Sequence, residues 1–516
     1  MVRKHDRAPN VIAAVILLFS PCTIGAAAAS EGLAVTVYST ADPASFDPQR
    51  YISQQRQGYN LNFAWQVPGF GVVKEVRTVN LKAGLNELRF TDVAQFIDPT
   101  TVSFVDLTDP EGTVVLEQNF EFDLINTQKL YEKYIDREVG LEVTQDGETT
   151  VVTGKVLAVR GGMFILQTPQ GLEFLPQGSG RIKLPPLPLE GLVTKPTLVW
   201  KLDAEQGGEH EIRTTYQTNG ITWRADYNLM LNADDTQADL GAWVTVMNLS
   251  GRAYQNARLK LIAGDVQRVQ PEYGYLRYAG EASERARRAA GFQERAFFEY
   301  HLYTLPRRTD ILSNTTQQIT LFPTARDVSV EKVLVYYGLS PGAAWGFSPN
   351  PRTDRNFGTQ SNPKVDVYVR FHNEEDNNLG MPLPRGKVRV YKQDEADESF
   401  EFIGEDLIDH TPKNETVLIR VGQAFDIVGE RTQTNFTIDT RVRPNLITES
   451  FKIQIRNHKE QQIKVIIKEN LYRWVNWQIT QTSDEHEKID ARTIHFEVNV
   501  PPDGERTVTY TVKYTW

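Results

Sequence analysis

Apolar and polar residues alternate with a period of two along most of the chain after its first thirty residues. Successive side chains of a β-strand point to opposite faces of a sheet, so this alternation places one face on a core and the other in water. The pattern is clearest in the segments 223–231, 240–246, 365–371, 463–467 and 494–500. The sequence therefore predicts an all-β protein of tandem β-sandwich domains with little helix.

Turn signals and changes of composition divide the chain into predicted parts. Residues 30–125 are expected to form an N-terminal β-sandwich. Residues 126–190 are expected to form an inserted, small SH3-like β-barrel with a short helix, because short strands there are separated by glycine-containing turns. Residues 191–345 are expected to begin a second β domain, and residues 346–516 to form a C-terminal β-sandwich.

The first 29 residues have a different character from the rest of the chain. Arg3, Lys4 and Arg7 precede an apolar run at residues 11–19, and small residues follow at 26–29. This is the layout of a secretory signal peptide. Pro21 interrupts the longer apolar stretch 11–29, which favours a cleaved signal over a membrane anchor. The sequence thus predicts an exported protein, periplasmic or associated with the cell surface, with no transmembrane helix after cleavage.

Composition narrows the classes of partner and of metal site. The one cysteine, Cys22, lies within the predicted signal, so the mature chain has no thiol for a disulfide or a cysteine-ligated metal. The formal net charge of −10 argues against nucleic acid as a partner. An envelope protein or a glycan is the expected partner.

Candidate catalytic and metal-binding motifs do not fit their chemistry. Residues 338–342 match the G-x-S-x-G pattern, but Pro341 lacks the backbone N–H that would bind an oxyanion. The acidic segment 374–378 offers oxygen ligands for Ca²⁺ without an EF-hand pattern, so a solvated hairpin tip is the favoured interpretation. Histidines without paired ligand spacing stand at 372, 410, 486 and 495. We predict no catalytic residue, no cofactor and no metal site.

Two long irregular segments combine aromatic residues with arginines, the residue types that dominate protein interfaces. Both are hypothesised to be partner-binding loops, and the alternative is that their aromatics cover the core locally. The first segment, 270–300, contains Tyr273, Tyr275, Arg277 and Tyr278. The second segment, 342–364, contains Trp345, Phe347, Arg352, Arg355 and Phe357.

Several stretches resemble a bacterial exported family of unknown function that is related to mucoidy-inhibitor-A-like proteins. Residues 216–227 have the sequence YQTNGITWRADY, which is similar to the hallmark of that family. Further similar stretches are AGDV at 263–266, NLGMPLPRG at 378–386, FIGED at 402–406 and VGQAFD at 421–426. The resemblance extends from about residue 197 to the C-terminus, and residues 33–107 resemble the companion N-terminal domain.

What this resemblance implies is modest, because the family has no assigned activity. Many of its members insert a long coiled coil where this chain has the predicted small barrel, so roles tied to the coiled coil are not implied. The favoured hypothesis is a non-catalytic binding or scaffold module of the cell envelope. Two alternatives stay open: a glycan-acting hydrolase with paired carboxylates, and an outer-membrane β-barrel suggested by the alternating segment 508–516.

Overall fold

The computed structural model confirms an all-β protein. Strands account for 65% and helices for 4% of the structure. The predicted signal peptide lies outside the described residues, as do Tyr273, Tyr275, Arg277, Tyr278, Trp345 and Phe347. The structure describes residues 32–39, 46–56, 66–122, 124, 127–145, 148–177, 180–184, 193–264, 266, 293–297, 300–339, 351–359, 361–441 and 444–516.

The N-terminal part contributes five strands and a short helix, α1 (Pro48–Arg56). The strands are β1 (Leu33–Tyr38), β2 (Phe70–Leu81), β3 (Gly84–Thr91), β4 (Ile97–Asp106) and β5 (Thr113–Glu121). Within β1 and β2, Val35, Val37 and Val73 are fully buried. These strands contribute to two different sheets, as the alternation of their side chains requires for a sandwich.

The inserted module begins with helix α2 (Thr127–Glu132) and continues as an antiparallel meander. Its sheet has the order β10-β6-β7-β8-β9, and Val156, Phe164 and Leu166 form its buried face. The edge strands β9 and β10 do not pair with one another among the described strands, so the sheet stays open. The strands are β6 (Glu138–Gln145), β7 (Glu148–Arg160), β8 (Met163–Thr168), β9 (Gly171–Pro176) and β10 (Gly180–Lys183).

Among the next ten strands, three pair with strands of the N-terminal part. They are β11 (Thr197–Ala204), β12 (Gly208–Thr218), β13 (Ile221–Leu231), β14 (Gln237–Asn248), β15 (Tyr254–Ala263), β16 (Gln293–Phe297), β17 (Tyr300–Thr304), β18 (Thr309–Ile311), β19 (Thr315–Ser329) and β20 (Glu331–Tyr337). Strand β11 lies between β3 and β5, and β12 lies between β2 and β4. Strand β1 pairs in parallel with β15. Strands on both sides of the boundary expected near residue 190 therefore share sheets.

The C-terminal strands form most of a nine-stranded sheet, with the order β27-β30-β25-β24-β21-β20-β26-β29-β28. Two of them, β22 and β23, instead extend a five-stranded sheet with the order β19-β14-β13-β22-β23. The strands are β21 (Lys364–His372), β22 (Gly386–Gln393), β23 (Phe400–Ile408), β24 (Thr416–Asp439), β25 (Leu446–Asn457), β26 (Ile463–Asn470), β27 (Trp477–Thr482), β28 (Glu487–Lys488), β29 (Thr493–Val500) and β30 (Gly504–Thr515).

Two large cores stabilise these sheets. The first runs through both the N-terminal and the central strands and includes Trp200, Tyr227 and Phe371. The second lies under the nine-stranded sheet and includes Phe451 and Phe496. Burial of such aromatic side chains supplies much of the free energy of folding. In the part of the chain that the structure describes, no helix is long and apolar enough to cross a membrane.

Candidate functional site

Three of the predicted partner-binding residues lie in one loop between β20 and β21. We call residues 351–359 and 361–363 the anchored loop. Arg355 is exposed, whereas Arg352 and Phe357 are half-buried. The guanidinium of Arg352 lies 4.2 Å from the centroid of the Phe357 ring. The Phe357 ring in turn packs on Tyr472, with 5.4 Å between ring centroids. Phe357 thus packs on Tyr472, while Arg355 is exposed.

A buried arginine holds the anchored loop from beneath. Arg473, in the connection between β26 and β27, donates through Nη1 to the carbonyls of Arg352 (2.9 Å) and Asp354 (2.7 Å). Its Nη2 donates to the carbonyl of Phe357 (3.2 Å). Its Nε lies 2.7 Å from Oε2 of Glu449, and both side chains are fully buried. One ion pair therefore fixes three backbone carbonyls of the loop.

A second buried ion pair holds the C-terminal half of the loop. Nε of Arg431 lies 2.8 Å from Oε2 of Glu469, and each side chain is 1% exposed. Nη1 of Arg431 donates to the carbonyl of Gly358 (2.8 Å), and the Arg431 backbone N–H donates to Oγ of Ser361 (2.8 Å). The Tyr510 hydroxyl donates to Oε2 of Glu469. Both halves of the anchored loop are thus tied to charges inside the sandwich.

The electrostatics keep both arginines charged and the neighbouring tyrosines neutral. Burial alone would lower the pKa of the Arg431 guanidinium, but the carboxylate of Glu469 raises it well above its usual value. Burial, together with the charge of Glu469, raises the pKa of Tyr510 well above its usual range. Burial, together with the carboxylate of Glu449, raises the pKa of Tyr472 to about 12. A buried charge is tolerated only when it is paired and hydrogen-bonded, which both arginines are.

These contacts define what the cluster does chemically in the described structure. Glu449 and Glu469 are each bound to an arginine, covered by the anchored loop and removed from solvent. Each carboxylate therefore acts here as a counter-ion rather than as a group that meets a substrate. We call the four residues Arg431, Glu449, Glu469 and Arg473 the clamp. The loop backbone faces the clamp, while the side chains of residues 353–356 are exposed.

Sequence reasoning missed the four charged residues of the clamp, although the sequence carried a signal for three of them. Glu449 occupies an inward position of β25 between Ile447 and Phe451, and Glu469 ends the inward row of β26. Arg431 occupies an inward position of β24. A charge at a position where the period-two pattern demands an apolar residue indicates a buried ion pair. Arg473 lies outside a strand, so the alternation gives no such signal for it.

A further ion pair lies on the central sheet. Nε of Arg224 lies 3.1 Å from Oδ2 of Asp226, as expected for neighbours on one face of a strand. The Thr245 hydroxyl donates to the same oxygen (2.7 Å), and Nη1 of Arg389 lies 3.6 Å from Oδ1. This cluster joins β13, β14 and β22 and thereby serves the fold.

The acidic segment 374–378 forms a short hydrogen-bonded turn that includes a 3₁₀ helix, Glu375–Asn377. The side-chain amide of Asn377 donates to the carbonyls of Ser329 (3.1 Å) and His372 (3.0 Å). Within the described ranges, no group of three or more histidine, cysteine, aspartate or glutamate side chains is placed to hold a metal ion.

Comparison with known protein families gives a match to the C-terminal part of the chain. A family model described as a domain of unknown function (DUF4139) matches residues 212–516. Among curated proteins, none matches the chain. The matched region begins inside β12 and reaches the last residue, so it includes the anchored loop and both of its buried ion pairs. Because the match spans more than half of the sequence, the chain belongs to the DUF4139 family.

Proposed function

We propose that this chain is an exported binding or scaffold module of the cell envelope and that the anchored loop is part of its partner-binding surface. The predicted signal peptide supports export to the periplasm or the cell surface. The resemblance of residues 216–227 to mucoidy-inhibitor-A-like proteins supports placement among exported bacterial proteins. The observation that carries the proposal is the fixed backbone of the loop, whose carbonyls are held by Arg473 and Arg431.

A loop with a fixed backbone is suited to binding. Association costs conformational entropy when a loop must be ordered, and a loop that is already held in place loses less. The outward side chains of residues 353–356 include Arg355, and arginine is enriched among residues that dominate binding energy. A standard interface covers about 800 Å² per partner, or about 20–30 residues, so residues beyond the anchored loop are expected to take part. Trp345 and Phe347, on the same segment, are expected to contribute to it.

The partner is proposed to be a protein of the envelope that presents a carboxylate to Arg355. Arginine forms bidentate hydrogen bonds with carboxylates, which gives directional recognition. The test is cross-linking in intact cells, affinity capture of the tagged mature chain and quantitative mass spectrometry. Arg355→Ala should reduce the captured amount of the stoichiometric partner at least fivefold. Arg326→Ala, which removes another largely exposed arginine, is the matched control and should leave capture unchanged.

The double variant Trp345→Ala, Phe347→Ala should also lose capture while its thermal unfolding midpoint stays that of the parent chain. Undiminished capture by both the double variant and Arg355→Ala would refute the loop as the binding surface. Recovery of glycan instead of a stoichiometric protein would refute the protein partner.

A further inference from the structure

An apolar edge strand, β5, lies apart from the anchored loop. It ends the three-stranded sheet β3-β11-β5 and pairs with β11 alone among the described strands. Three consecutive apolar residues on it are exposed: Val114 to 54%, Val115 to 38% and Leu116 to 57%. An edge strand presents unpaired backbone N–H and C=O groups, which native proteins often protect with lysine, proline or a short length. Strand β5 has nine residues and contains neither lysine nor proline.

A β-bulge adds to the apolar surface of this edge. Lys201 pairs with Glu117 and the next residue, Leu202, pairs with Val115, so Leu116 has no counterpart on β11. The extra residue of a bulge is left unpaired by its own sheet. Contiguous exposed apolar residues, unlike single ones, indicate an interaction site. The segment 114–116 therefore offers both apolar side chains and a strand edge to a partner.

The charges of β5 are already paired within the chain. Nζ of Lys201 lies 2.7 Å from Oε2 of Glu117, and the guanidinium of Arg89 binds the carboxylate of Glu121. Asp203, which has no ion pair with another described side chain, lies on β11, one strand further from the edge. The edge is thus suited to a partner strand that is apolar and uncharged where it meets residues 114–116. A second copy of the same edge has this chemistry.

We propose that β5 pairs in antiparallel orientation with β5 of a second copy of this chain. In a two-fold arrangement the same patch serves both copies, and one residue faces its own counterpart. When Val115 is that residue, Val114 faces Leu116 of the other copy, and Thr113 faces Glu117. All three exposed apolar side chains then meet apolar side chains, and no two carboxylates are opposed within residues 113–117.

Neighbouring registers lack this complementarity. A two-fold axis at Val114 would place Leu116 opposite Gly112, in the turn before the strand. An axis at Leu116 would place Val115 opposite Glu117, and an axis at Glu117 would oppose two carboxylates, which is destabilising. The register centred on Val115 joins the two sheets into one of six strands, β3-β11-β5-β5-β11-β3. Since none of these residues belongs to the anchored loop, this inference stands independently of the proposed function.

The first test is sedimentation equilibrium of the full mature chain, for which we expect a reversible dimer. Leu116→Lys should weaken dimerisation at least tenfold, because each copy brings a lysine to the shared edge. Its thermal unfolding midpoint should stay that of the parent chain, since the side chain is exposed. Leu418→Lys changes an exposed leucine on a strand of another sheet and should leave dimerisation unchanged. A parent chain that stays monomeric up to about 100 μM, where a dimer with a micromolar Kd is mostly assembled, would overturn the proposal. So would a dimer that Leu116→Lys does not weaken.

Disulfide cross-linking tests the register. Cys22 lies in the predicted signal peptide, so the mature chain has no cysteine of its own. Val115→Cys should give a cross-linked dimer on mild oxidation, because facing residues of an antiparallel pair have Cα atoms about 4.5–5.5 Å apart. Thr113→Cys is the matched control, since in this register it lies about 13 Å along the strand from its own counterpart, too far for a disulfide. Equal yields of cross-linked dimer from the two variants would overturn the pairing about Val115.

Discussion

Glu75 and Arg252 stand 177 positions apart in the sequence and form a bidentate ion pair. Nη1 of Arg252 lies 2.8 Å from Oε2 of Glu75, and Nη2 lies 2.9 Å from Oε1. The same carboxylate accepts two hydrogen bonds from Arg77, and Nη1 of Arg252 also donates to the hydroxyl of Tyr216 (3.0 Å). The pair joins β2 to the connection between β14 and β15, so it links the N-terminal strands to the DUF4139 region.

Removal of the Arg252 guanidinium should destabilise the whole chain. Arg252→Met leaves the Glu75 carboxylate buried with only Arg77 as a cation, and breaking a buried pair costs about 3 kcal/mol or more. We expect a loss of about 3 kcal/mol in the free energy of unfolding, measured with urea. Arg89→Met, which breaks the half-exposed pair with Glu121, should cost less than about 1 kcal/mol. Similar losses in the two variants would contradict the importance of the buried pair.

The Glu75 carboxylate should make the free energy of unfolding depend on pH. Burial favours a raised pKa of Glu75, but the hydrogen bonds and charges of Arg252 and Arg77 together hold it below its ordinary value of 4.5. A group with a depressed folded pKa stabilises the fold above its unfolded pKa and loses that contribution as pH falls through the folded value. The stability difference between the parent chain and Glu75→Gln, measured by urea denaturation, should therefore be full at neutral pH. It should shrink as the pH falls below 4.5, and a difference that is independent of pH would refute this account.

Variants of the clamp should affect the free energy of unfolding and the order of the anchored loop separately. Arg473→Met should cost about 3–5 kcal/mol, because it leaves Glu449 buried and unpaired. Adding Glu449→Leu should restore most of that loss, since a buried ion pair replaced by apolar residues is often neutral for stability. The loop carbonyls would still lack their donor.

Hydrogen exchange measures how well the backbone of the anchored loop is held in place. Backbone amides of residues 352–359 should exchange faster in the double variant Arg473→Met, Glu449→Leu than in the parent chain, even where urea denaturation shows equal stability. Amides of β29, which lies in the nine-stranded sheet away from the loop, serve as the internal reference. Unchanged exchange in the loop would mean that Arg473 is not what holds it.

Both the backbone conformation at Gly358 and the lack of room for a Cβ atom there require a glycine. It has a positive φ of 73°, and a Cβ atom there would overlap the ring of Tyr472. Gly358→Ala should therefore lower the free energy of unfolding by roughly 2 kcal/mol, measured by thermal or urea denaturation. Gly422→Ala is the matched control, because a Cβ at Gly422 meets no atom within 4 Å. Equal effects at the two positions would argue against the tight contact with Tyr472.

The sequence predicted those features of the fold that depend on local alternation. Trp223, Ala225 and Tyr227 are buried as their period predicts, and the fold class follows from many such strands. The pairing of β11 and β12 with N-terminal strands was not predictable, because alternation shows which face of a strand is buried and not which strand is its neighbour. For the same reason, the positions of Glu449 and Arg473 give no indication in the sequence that they meet under residues 352–357.

The parallel pairing of β1 with β15 bears on the order of events during folding. Val35 lies opposite Leu259 and Val37 opposite Leu261. The first described strand therefore pairs with a strand that is more than 200 positions later in the chain. Contacts of such long sequence separation slow folding, because loop closure must precede the stabilising contacts. The N-terminal sheet therefore cannot be completed while its first strands emerge from the ribosome. The β1 edge of this sheet needs protection from aggregation until residue 263 has arrived.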